Sequence, residues 1–116
     1  MVSPSDDLDL TQAQAYALQP AELAELLDTV EVSLSLSLSR LRANPDPPSL
    51  HRALHDVKGY VGLVASGALC ELVQQTDQAA RQDMAEPTRE SLQALIPRLE
   101  RLQRAVKDYR AGIIGD

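Results

Sequence analysis

An all-α fold, an antiparallel four-helix bundle with a short additional N-terminal helix, is predicted by three observations. The first is composition: 44% of the 116 residues are hydrophobic but only 3% are aromatic, with no Phe or Trp. Such a chain builds an aliphatic core from good helix formers and lacks the residues that usually fill sheets. Second, apolar residues recur three and four apart along every long segment. Third, those segments are separated by proline- or glycine-bearing breaks. The length suits one domain with one core.

Residues 1–9 are polar and acidic and are expected to form a flexible segment ahead of a domain spanning 10–112. Thr11 offers an N-cap for a short helix through about Leu18. Gln19-Pro20 resets the chain, and Pro20 suits the first turn of a long helix with Glu22 and Glu25 near its positive end. Leu23, Leu26, Leu27, Val30, Leu34, Leu38 and Leu41 form its apolar stripe. Within it, residues 33–39 alternate Ser and Leu as a half-buried strand would. Leu34, Leu38 and Leu41 nevertheless continue the phase set upstream, so the helix is expected to run through. Leu36 falls off that phase and is expected to be partly exposed.

Asn44-Pro45-Asp46-Pro47-Pro48 cannot continue a helix, and Ser49 is expected to cap the next one. Leu50, Ala53, Leu54, Val57, Val61 and Val64 supply its buried stripe, leaving His51, His55, Lys58, Gly59 and Gly62 on the other side. Ser66-Gly67 marks a turn before a helix with Ala68, Leu69, Leu72, Val73 and Thr76 facing inward, fading near Gln82. Glu86-Pro87-Thr88 starts the last helix, where Leu92, Leu95, Ile96, Leu99, Leu102, Val106 and Tyr109 keep one phase through about Arg110. Pro97 removes a backbone hydrogen bond there and predicts a kink rather than two helices, because the apolar phase survives across it.

Lys and Arg number 11 against 17 Asp and Glu, a net charge of -6. That balance argues against nucleic acid or anionic lipid as a partner. Residues 1 to 48 hold 8 acids and 2 bases, and residues 49 to 116 hold 9 of each. Arg98, Arg101, Arg104, Lys107 and Arg110 on the last helix are therefore expected to pair with the acidic first half. Cys70 is the only cysteine, which excludes an intrachain disulfide, and a cytoplasmic location is the default. No segment is long and apolar enough to insert in a membrane, and the N-terminus lacks the pattern of a signal peptide.

The residues most suggestive of chemistry are His55-Asp56-Val57-Lys58-Gly59. On a helix, Lys58 and Gly59 lie one turn along from His55. A glycine inside a helix costs about 1 kcal/mol relative to alanine, so its place beside an imidazole asks for a reason. Room for a partner's surface is one such reason, and Lys58 could balance negative charge placed on the ring. The set suits a phosphorylated histidine. Neutral imidazole is a competent nucleophile near neutral pH, and phosphoryl transfer depends on alignment and charge compensation. Taken alone, the five residues are equally those of a surface histidine that happens to precede a lysine.

Over its wider stretch, LHRALHDVKGYVGLVASGALCEL resembles the histidine-containing phosphotransfer (HPt) domain family, whose hallmark is His-x-x-Lys-Gly followed by small residues and a leucine-rich helix. The resemblance covers most of the chain as a helix pattern and is specific over about His51 to Leu72. It implies that His55 is phosphorylated, that Lys58 compensates charge, that Gly59 admits a receiver domain, and that Leu69 and Leu72 are core leucines. The family often carries Gly-Ala ten residues after the histidine; here Ala65 and Ser66 stand there and Gly67 comes two later. The implied function is relay of a phosphoryl group between aspartates of receiver domains, those of a hybrid sensor kinase or a response regulator. No cofactor is expected on this chain, Mg²⁺ belonging to the receiver. The chain is expected to be a monomer, alone or as a cytoplasmic module of a membrane-bound sensor kinase.

Docking is expected around His55, with Arg52, Gly59 and Gly62 close by, His51 as a neighbour and Leu36 at the edge. Gln74 and Gln78 share a helix face and could orient the imidazole. The rival readings are weaker. His51 and His55 could share a metal ion, but two ligands are not four, and no metal is expected. Cys70 lies in an apolar stripe without an activating base. No Gly-rich phosphate loop or kinase ATP motif is present, so an autonomous kinase is not expected. The alternative function is a four-helix adaptor that binds a signalling partner without phosphotransfer.

Overall fold

The computed structural model describes residues 7–43, 45–82 and 85–114. Among them five helices follow in order: α1 (Thr11–Tyr16), α2 (Pro20–Arg42), α3 (Pro47–Val61), α4 (Gly67–Arg81) and α5 (Ala85–Ile114). No strand forms among the described residues, and Leu8 and Ala65 share an isolated antiparallel bridge. The helices α2, α3, α4 and α5 close a ring in which each packs on two others, while α1 packs on α2. An all-α helical bundle is therefore the fold.

Local chemistry explains most boundaries. Pro20 sits in the first turn of α2, where its missing N–H costs nothing, and the Glu22 carboxylate accepts a hydrogen bond from the Gln19 backbone N–H at 3.1 Å. The alternating segment stays helical, burying Leu34 and Leu38 and leaving Leu36 58% exposed. For α3 the cap is Asp46 rather than Ser49: its carboxylate accepts from the Ser49 N–H at 3.2 Å, and Pro47 opens the helix. The prolines that stop α2 also start α3, because first-turn N–H groups have no helical partner to lose. Likewise Leu10, not Thr11, occupies the N-cap of α1, with Asp9 accepting from the Thr11 N–H, and the helix ends at Tyr16.

Ser66 caps α4 by accepting from the Leu69 N–H at 3.3 Å. Ser66→Ala is expected to cost about 1 kcal/mol, read as a lowered urea midpoint. Ala68, expected on the buried stripe, is exposed, whereas Leu69, Val73 and Thr76 are buried. The last helix runs unbroken from Ala85 to Ile114 with Pro97 inside it, buried through Leu95, Leu99, Leu102 and Val106.

The N-terminal segment departs from expectation. From Asp7 on it is tied to the bundle: the Asp9 N–H donates to the Val64 carbonyl at 2.8 Å and the Ser66 N–H to the Asp7 carbonyl at 2.7 Å. Arg98 clasps the Asp7 carboxylate with two hydrogen bonds, at 2.7 and 3.0 Å, which hold that carboxyl below its ordinary pKa. The remainder of the expected flexible segment, residues 1–6, lies outside the described residues, as does Asn44 of the proline-rich break.

Of the other α5 cations expected to pair with the acidic half, Arg110 also does so. Arg110 reaches Glu31 at 3.0 Å and Asp28 at 3.7 Å, while Glu100 of α5 pairs in the opposite sense with Arg42. No helix among the described residues is long and apolar enough to cross a membrane.

Candidate functional site

The buried stripe of α3 sets the site. Leu50, Ala53, Leu54, Val57 and Val61 are locked into the core at 7% exposure or less, so the remaining face must turn outward. That face carries His55, which is exposed, and His51, which is half-buried. Their ring centroids are 6.4 Å apart. Arg52, Lys58, Gly59 and Gly62 are exposed beside them.

At Gly59 an added Cβ would meet nothing within 4 Å. The bundle therefore does not need glycine there, yet carries its helix cost. Gly62, the C-cap of α3, is equally open.

On the α2 side, Arg40 pairs with Asp56 at 2.9 Å and the Tyr60 hydroxyl bonds Ser37 at 2.9 Å. The first of these ties draws Asp56 toward α2. Leu36, four residues before Arg40, shares that edge of α2 and presents exposed apolar surface.

On the α4 side, the structure adds a residue that the sequence did not single out. Asp77 is 1% exposed and is bound on both oxygens. One accepts from His51 Nδ1 at 2.8 Å; the other faces Lys58 Nζ at 3.2 Å and Arg81 Nε at 3.2 Å. Burial by itself would push the carboxyl pKa up, but the hydrogen bonds from His51 and Lys58 and the charges of Lys58 and Arg81 outweigh it. The group is held below its ordinary value.

A depressed folded-state pKa means stability that is complete above the unfolded value of about 3.9 and is lost as pH falls through the lower folded one. Wild-type unfolding free energy is thus expected to drop below about pH 4. In Asp77→Asn the acid limb is expected to be flatter, which urea titrations from pH 6 to 2 would check; an unchanged slope would contradict it.

Gln74 and Gln78 are not brought onto the His55 ring. Both are exposed and border, with Lys58, Asp77 and Arg81, a small recess between α3 and α4. Neither hydrogen-bonds to the His55 ring among the described residues. The side chain that α4 delivers inward is Asp77, and it takes His51 and Lys58 instead. Its signal was its phase: four residues after buried Val73 and four before Arg81, it stands where the apolar stripe would continue.

Among the described residues, no group of three or more His, Cys, Asp and Glu is placed to hold a metal ion. Cys70 is half-buried against the core, its thiol pKa pushed up by burial, the opposite of an activated nucleophile.

A family model for the Hpt domain matches residues 20–110. The chain belongs to the Hpt domain family. The match takes in α2, α3, α4 and nearly all of α5, hence the whole ring of four helices, and leaves α1 outside it. A search of curated proteins finds no match to the chain. Hpt domains are phosphocarriers without an ATP site of their own, and they interact with receiver domains of two-component systems. Histidine phosphotransfer in phosphorelay signalling is accordingly this Hpt domain's role.

Proposed function

We propose that His55 is the phosphoryl carrier, taking the group from the aspartyl phosphate of one receiver domain and giving it to the aspartate of another. The observation that carries this is the open patch at mid-α3: an exposed imidazole, with Lys58 one turn away and a glycine whose missing side chain leaves clear space.

A lone pair of the neutral ring attacks phosphorus in line, the bond to the aspartate oxygen breaks, and the carboxylate leaves with the electron pair. The reverse reaction discharges the carrier onto the next receiver. Alignment and charge compensation are what the chemistry requires. Lys58, paired with Asp77 at 3.2 Å, stands one turn from His55 and would balance the new phosphate. The receiver supplies Mg²⁺, so this chain needs neither nucleotide nor metal.

Arg52, His51, Gly62 and Leu36 surround the patch as docking surface, and such a transient contact is expected to be small and weak. The partners are receivers of a hybrid sensor kinase and a response regulator, met in the cytoplasm by a monomeric carrier.

Incubation with a receiver already phosphorylated on its aspartate tests this. Acid-labile, alkali-stable phosphate should appear on the chain and move on to a second receiver. Binding without transfer would support the adaptor reading instead.

A further inference from the structure

We propose that His51 is a second phosphoryl acceptor on the same face, prepared by the buried carboxylate of Asp77; this rests on the reading of His55 as a receiver's target. A phosphoryl-accepting imidazole needs a nitrogen lone pair, cations nearby and access, and it is better aligned when its other nitrogen is held as a donor. His51 has each of these.

Its Nδ1 lies 2.8 Å from Asp77 Oδ1, and an ionised carboxylate can only accept, so the proton sits on Nδ1 and the lone pair on Nε2. Asp77 is itself fixed by burial, which fixes the ring. The ring of His55 has no comparable tie among the described residues.

Lys58 and Arg81 on the other carboxylate oxygen already offset the charge of Asp77. The His51 bond is therefore redundant as charge balance, and the cations leave the pocket net positive. The side chain of His51 is 42% exposed. Its ring lies 6.4 Å from that of His55, close to the roughly 5.4 Å pitch of one helical turn. A receiver seated over Gly59 reaches it by shifting one turn toward the start of α3.

The step balances within the pair. His51 Nε2 forms a bond to phosphorus as the phosphorus–oxygen bond to the receiver aspartate breaks, and the electron pair departs with that carboxylate. No proton leaves the ring. The product is a phosphorylated imidazolium that keeps its Nδ1 hydrogen, its positive charge set against Asp77.

The test compares wild type, His55→Gln, the double variant His51→Gln/His55→Gln, and His55→Gln/Asp77→Asn. Each is incubated with a receiver charged on its aspartate by acetyl phosphate, and phosphate is mapped by mass spectrometry at alkaline pH. In His55→Gln, slow acid-labile phosphate is expected on His51, about a hundredfold slower than in wild type, the penalty of a misalignment of about 1 Å. It should vanish in the double variant and fall further when Asp77 is also replaced.

If wild type is labelled but His55→Gln carries no more phosphate than the double variant, or carries it elsewhere than His51, the second acceptor is overturned and His55 stands. If wild type itself takes no phosphate, both fall.

Discussion

His55→Gln should fold like the wild type and lose phosphotransfer by about a hundredfold or more. The side chain is exposed and makes no hydrogen bond among the described residues, so its replacement belongs with surface substitutions, which shift stability by about 0.5 kcal/mol or less. The amide of glutamine keeps the size and polarity of the ring but has no nucleophilic lone pair on nitrogen. Stability and chemistry therefore separate at this position. Thermal unfolding by circular dichroism checks the first, and a quenched time course of transfer from a phosphorylated receiver checks the second. Label appearing on His55→Gln at the wild-type rate would contradict the assignment.

Gly59→Leu is expected to fold at least as well as wild type and to slow transfer on the order of a hundredfold. An added Cβ meets nothing within 4 Å, so the fold has room for a side chain. Gly59→Ala, the minimal version, should stabilise by about 0.4 to 1 kcal/mol through reduced freedom of the unfolded chain and better helix propensity. A leucine side chain must instead occupy space beside His55 that a docked receiver would use. The pair of variants tells the two uses of the glycine apart: stability should rise in both, while transfer should collapse only as the side chain grows. If Gly59→Leu transfers as fast as wild type, the patch is not where the receiver sits.

Much of the bundle is legible in the sequence because burial follows helical phase. The stripes on α2, α3 and α5 bury in the expected register, and Leu36 falls off phase and is exposed. Tyr109, expected to end the α5 stripe, is instead exposed at 39%, because it lies on the last turns beyond Val106, the last fully buried residue of that helix among the described residues. Helix starts were less legible. Pro47 and Pro48 read as breakers, yet a proline in a first turn loses no hydrogen bond, so α3 begins at Pro47 on an Asp46 cap. The tethering of Asp7 depends on Arg98, far along the chain, and no local pattern announces such a contact.

The site was legible in its exposed half, because His55, Lys58 and Gly59 lie within five residues. Its buried half was not. An acidic residue is by default assigned to a solvated face, and only packing reveals that Asp77 turns inward to meet three cationic or donor groups from two helices. Gln74 and Gln78, the polar residues that sequence favoured for contact with the imidazole, point outward instead.

The central claim, that this Hpt domain carries phosphate on His55, is tested most directly by mapping the phosphate after a brief incubation of the wild-type chain with a receiver phosphorylated on its aspartate. The receiver should be discharged, and acid-labile phosphate should be found on α3 predominantly at His55. A receiver that binds yet keeps its phosphate, or phosphate found on the chain with His55 unmodified, would contradict it.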